Sequence, residues 1–149
     1  MRYAAFMRNA LVLALVTSLA LGCPEKQVRS FSPAHDQEML ASSAQLFWHS
    51  LRWSDYEGAS ALIEESGPRL DFLTEWSSKP PAQITDFQLV HIELNEPLPD
   101  AERLEGLVVV KAEGISTGSY TVRTDMLRQT WYRSGDNWYL DTESIPYGE

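Results

Sequence analysis

Two adjacent prolines, Pro80 and Pro81, cut this chain between stretches of different apolar period. Neither can donate a backbone hydrogen bond, and each disfavours a helical residue before it. No helix or strand is therefore expected to run through Lys79-Pro80-Pro81. On the N-terminal side the apolar residues fall at helical spacing. From Gln83 onward they move towards the two-residue alternation of strands. Helices first and antiparallel strands after predict an α+β fold, with N-terminal helices covering the apolar face of one curved, four-stranded antiparallel sheet.

In the helical half, Ser32-Pro33 has the form of an N-cap followed by proline at the first helical position. Asp36 and Glu38 suit the positive end of the helix dipole. Leu40, Ala44, Phe47, Trp48 and Leu51 share one stripe, so this is a surface helix with one buried face. Ser54 and Glu57 have capping-box spacing, predicting a second helix from Asp55 to about Ser66 that Gly67-Pro68 ends. Leu70 to Trp76 reads as a short third helix.

Four strands are expected beyond the prolines: Ile84 to Leu94, Leu104 to Ile115, Tyr120 to Arg133 and Trp138 to Glu143. Glu96 to Asp100 forms a loop, and Ser134-Gly135-Asp136-Asn137 is a hairpin turn. Tyr120 and Val122 share one parity and Leu127 and Trp131 the other, which predicts a β-bulge near Asp125-Met126. Ile145 to Glu149 is expected to fray.

The first residues carry a different signal. Arg2 and Arg8 precede an apolar run, Ala10 to Leu21, broken only by Thr17 and Ser18. A bilayer-spanning helix needs about 20 apolar residues, so the run fits the core of a secretory signal peptide. Leu19-Ala20-Leu21-Gly22-Cys23 then resembles the lipobox of bacterial lipoprotein precursors. The resemblance implies removal of residues 1–22 and lipidation of Cys23, the only cysteine. Several acyl chains, at about 0.8 kcal/mol per buried CH₂, hold a protein stably at a bilayer. Pro24, in place of the aspartate that often retains such proteins at the inner membrane, implies the periplasmic face of the outer membrane. Residues 23–32 become a lipidated tether spanning at most roughly 30 Å. The domain is placed at residues 33–145 and a tail at 146–149.

Lys and Arg number 12 against 21 Asp and Glu, a net charge of −9, and loss of Arg2 and Arg8 with the signal takes it to −11. Such a surface repels nucleic acid and anionic lipid, so nucleic acid is not an expected partner and the anchor is lipid rather than a basic patch. A single cysteine excludes an internal disulfide and a cysteine-rich metal site.

The pattern of an aromatic strand, a glycine turn and a Trp-aromatic-Leu strand runs through Gln129-Thr130-Trp131-Tyr132-Arg133-Ser134-Gly135-Asp136-Asn137-Trp138-Tyr139-Leu140. Phe47-Trp48 and Leu51 to Glu57 precede it. Over roughly residues 34–143 the chain resembles the nuclear-transport-factor-2-like, or SnoaL-like, superfamily. The resemblance implies a cone-like sheet with a pocket. Its members include isomerases, dehydratases, assembly modules and periplasmic lipoproteins, the last being nearest in appearance. No function follows from the fold alone.

No phosphate-binding glycine loop, His-Glu-x-x-His or Gly-x-Ser-x-Gly occurs. On one helix, His35 and His49 would stand about 21 Å apart, too far to share a metal. His91, in register with Phe87 and Leu89, is a candidate general base or an ordinary strand histidine. Asp55 and Tyr56 supply the carboxylate and phenol that isomerase relatives use, although Asp55 equally suits a helix start. Arg123, Asp125 and Arg128 either line a polar pocket or form a solvated face, the commoner use. Most of the five tryptophans belong in the core, with one or two left to line a cavity. The pocket candidates are thus Tyr56, His91, Asp125 and Trp131. No catalytic set, metal or cofactor is assigned.

The expected function is a non-catalytic binding or interaction module of the bacterial cell envelope. It would be tethered by lipid and bind an envelope protein or a small apolar ligand. The alternatives are a small isomerase- or dehydratase-type enzyme with its pocket in the cone, and a homodimer through the sheet face.

Overall fold

A computed structural model describes residues 32–96 and 103–146. The signal peptide, Cys23, the tether up to residue 31, most of the 96–100 loop and the last three residues lie outside the described residues. Among these described residues, three α-helices, α1 (Pro33–Arg52), α2 (Tyr56–Ser60) and α3 (Ser66–Ser78), precede four strands, β1 (Ala82–Leu94), β2 (Glu105–Ser116), β3 (Val122–Ser134) and β4 (Asn137–Leu140). A turn of 3-10 helix follows at Thr142–Ser144. The strands form one antiparallel sheet in the order β1-β2-β3-β4. The α+β architecture, helices on an open four-stranded sheet, is the one expected from the sequence.

All five residues of the α1 stripe are buried against the sheet. Phe47 meets Trp48 and Trp131 edge-to-face, at 5.9 and 6.1 Å between ring centroids. That is the preferred geometry for aromatic quadrupoles. Trp48, Trp76, Trp131 and Trp138 are core residues, whereas Trp53 is exposed. The fully buried Leu40 lies directly over Gly106.

The inner face of the sheet is set by register. From β2 it takes Gly106, Val108, Val110, Ala112 and Gly114; from β3, opposite these in order, Trp131, Gln129, Leu127, Asp125 and Arg123. The β2–β3 register is unbroken, so the bulge expected at Asp125-Met126 is absent. Tyr120 and Val122 needed no parity change, because they are exposed outside the core. The irregularities occur instead in β1, between Ile84 and Asp86 and between Leu89 and His91. Each inserts one residue and restores Phe87, Leu89, Ile92 and Leu94 to the inner side.

Three further expectations are corrected. Ser54 does not cap α2: it has φ +57°, and the Asp55 carboxylate caps instead, accepting from Gly58 N–H at 2.9 Å. Gly67-Pro68 opens a helix rather than ending one, because both lie in the first turn of α3, where a proline has no hydrogen bond to lose. Ile145 is buried rather than frayed, being 4% exposed. Gly135, at φ +61°, begins the two-residue β3–β4 turn in a conformation that favours glycine. The free side of the short β4 is met by the α2–α3 connection, where Leu140 N–H donates to Leu62 C=O at 2.8 Å.

Candidate functional site

A cavity of about 300 Å³ opens where α1 and α3 leave one end of the sheet uncovered. Its walls are Trp48 and Trp76 from the helices, Ala82 and Ile84 from β1, Ala112, Gly114 and Ser116 from β2, and Arg123, Asp125 and Leu127 from β3. The reason for an opening at this end is in the side chains. Further along the inner face, Val108 and Val110 stand against α1 and fill the space. At Ala112 and Gly114 the same strand contributes one methyl group and none, so the two layers cannot close. Small cavities walled by aromatic and aliphatic side chains with few polar groups are the usual form of small-molecule sites.

Trp48 is held rigidly at the cavity wall. Its indole N–H donates to Gln129 Oε1 at 2.9 Å, both residues being buried. An indole nitrogen is only a donor, which fixes the orientation of the Gln129 amide. Phe87 lies near-parallel to the Trp48 ring at 6.3 Å. Trp76 is braced by Phe72 at 5.5 Å and Tyr56 at 5.8 Å.

The structure does not bring the four pocket candidates together. Asp125 alone lines the cavity. Trp131 is wholly buried among core side chains. Tyr56 lines a separate shallow cleft with Asp55, Glu57 and Leu73. His91 is exposed, with Nε2 3.4 Å from Glu93 Oε2. Val90, unpaired between Leu89 and His91, reverses the parity that aligned His91 with Phe87 and Leu89. The trio on β3 also divides. Arg123 and Asp125 share the inner parity with Leu127, whereas Arg128 falls on the outer side with Met126.

Of the five tryptophans, one or two of which were expected at a cavity, Trp48 and Trp76 line it rather than the chosen Trp131, and the linings that sequence reasoning passed over are Ala112 and Gly114. A signal existed for these two: within Leu107 to Ile115, the residues of one parity shrink from valine to alanine to glycine.

The opposite end of the sheet holds a polar network. Arg133 pairs with the buried carboxylate of Asp36, and Ser134 Oγ donates to Glu64 Oε1 at 2.6 Å. Arg103 lies 4.6 Å from the centre of the Tyr132 ring. Burial, and after it the neighbouring Glu64 carboxylate, push the Tyr132 phenol up to about 12.

Among the described residues no group of three or more His, Cys, Asp and Glu side chains is placed to hold a metal ion. No described helix is long and apolar enough to cross a membrane. Comparison with protein-family models finds none that matches the chain, and comparison with curated proteins finds no match either.

Proposed function

We propose that this chain is a non-catalytic binding module of the bacterial cell envelope, tethered through lipid on Cys23, whose domain takes a small, largely apolar ligand. The observation that carries the reading is the cavity of about 300 Å³ between Trp48, Trp76, Ile84 and Leu127. The separation of His91, Tyr56 and Asp125 supports binding over acid–base chemistry, which needs its groups within hydrogen-bond reach of one substrate. The arrangement also suits a tethered receptor. Asp36, in the first turn of α1, sits at the Arg133 end of the sheet, and Trp48 lies about 18 Å further along the helix. Ser32 thus lies at the end of the domain away from the cavity.

Two measurements on the full chain test this. Cys23→Ser is expected to shift the protein from the membrane to the soluble fraction, with loss of a diacylglyceryl mass on Cys23. An apolar fluorophore is expected to accept energy from Trp48 and Trp76, and Ala112→Leu, which fills the cavity, to abolish the transfer. Unchanged fractionation overturns the tether. Unchanged transfer overturns the binding site.

A second reading is favoured by one observation: Val122 and Met126, of like parity on β3, are 66% and 58% exposed. A homodimer through this sheet face would cover them. Sedimentation showing only monomer at high concentration excludes it.

A further inference from the structure

Among the described residues, Arg123 and Asp125 are the only charged ones in the cavity lining, and they sit side by side on it. With no bulge between them their side chains leave the same face of β3, their α-carbons about 6.7 Å apart. The sheet contains two other pairs of potentially opposite charge two residues apart, and both close on themselves. Lys111 Nζ lies 3.7 Å from Glu113 Oε1, and His91 lies 3.4 Å from Glu93. Arg123 and Asp125 do not: neither makes an ion pair or side-chain hydrogen bond among the described residues. Their cross-strand partners are Gly114 and Ala112, which bring no polar side chain to either.

We infer that the cavity binds a small zwitterion with an apolar side chain, of the α-amino acid class, with Arg123 receiving the carboxylate and Asp125 the ammonium group. This rests on the reading of the domain as a binding module and specifies its ligand. Charge balance makes the choice. A simple carboxylic acid would pair with Arg123 but stand beside the Asp125 carboxylate. A simple amine would meet the reverse conflict at Arg123. A molecule carrying both charges satisfies both residues, leaves the site neutral and turns its side chain towards Trp48, Ile84 and Leu127. The guanidinium offers a carboxylate two parallel N–H donors, and the aspartate accepts from an ammonium group.

The test is calorimetric titration of the full chain with four molecules sharing one ring: L-phenylalanine, 3-phenylpropionate, 2-phenylethylamine and ethylbenzene. L-Phenylalanine is expected to bind at least tenfold more tightly than the other three. Arg123→Gln should weaken L-phenylalanine at least tenfold while leaving the amine unchanged or tighter. Asp125→Asn should weaken L-phenylalanine similarly while leaving the acid unchanged or tighter. Both side chains are exposed, so neither substitution disturbs the core. Ethylbenzene binding as tightly as L-phenylalanine, with both variants indifferent, overturns the zwitterion and leaves an apolar site standing. Binding of none of the four overturns the zwitterion together with the binding-module reading.

Discussion

The Arg133 guanidinium, near the end of β3, grips the carboxylate of Asp36, ninety-seven residues earlier in the first turn of α1. Both side chains are largely withdrawn from water, 17% exposed for Arg133 and 4% for Asp36. The carboxylate also accepts from Ser32 N–H at 3.3 Å, so one side chain joins the helix start to the final hairpin. The sequence suggested only that Asp36 suits a helix dipole.

Removing one partner of a buried ion pair strands the other charge, at about 3–5 kcal/mol. Asp36→Leu and Arg133→Met are each expected to lower the urea midpoint accordingly. The double variant Asp36→Leu/Arg133→Met should lose clearly less than the sum of the single losses, because no stranded charge remains. Additive losses would mean that the two residues act independently.

Gly106 of β2 lies directly beneath Leu40 of α1. A Cβ there would overlap the buried Leu40 side chain and stand 3.2 Å from the Glu93 carbonyl. Gly106→Ala is therefore expected to destabilise by about 1–3 kcal/mol, the usual penalty for overfilling a packed core. Gly67→Ala is the control: nothing lies within 4 Å of the added atom, and alanine favours the α3 helix, so stability should hold or rise. Urea unfolding of the two variants checks the contrast.

Tyr132 predicts an alkaline limit. Its folded pKa, about 12, exceeds the ordinary value of 10.0, so the folded state holds the phenolic proton more tightly than the unfolded chain does. The resulting stabilisation is complete below pH 10 and is lost as pH rises towards 12. Tyr132→Phe should remove this share of the decline. Comparing denaturation midpoints at pH 9 and pH 11.5, wild type should fall further than the variant; equal falls would refute the assignment.

The helical half was legible to the extent that a periodic stripe controls it. Leu40, Ala44, Phe47, Trp48 and Leu51 are buried as their spacing demands. Gly67-Pro68 misled because the same dipeptide suits a helix start as well as a helix end, and only the chain around it decides which. In β1 the information was present but in another form. Its inward residues Ile84, Phe87, Leu89, Ile92 and Leu94 are spaced three, two, three, two, and each interval of three marks an inserted residue. Reading β1 as a strict alternation gave His91 the parity of Phe87 and Leu89, whereas the bulge expected in β3 came from counting the exposed Tyr120 and Val122 as a buried face.

The cavity was legible only in fragments. That Ala112 faces Asp125 and Gly114 faces Arg123 depends on the pairing register of two strands, which no single segment encodes. Trp131 and Trp48 are chemically alike in the sequence. One, on β3, is sealed by Phe47 of α1, while the other, on α1 itself, borders the opening that Ala112 and Gly114 leave in the sheet.

The two inserted residues of β1 have an effect beyond the core. β1 is the thirteen-residue border strand of the sheet, and a long regular border offers another chain a row of amides and carbonyls on which to polymerise. Thr85 and Val90 interrupt that row at two places, so no incoming strand can match it over its full length. The device that turns Phe87 and Ile92 inward thereby guards crowded molecules against edge-to-edge aggregation.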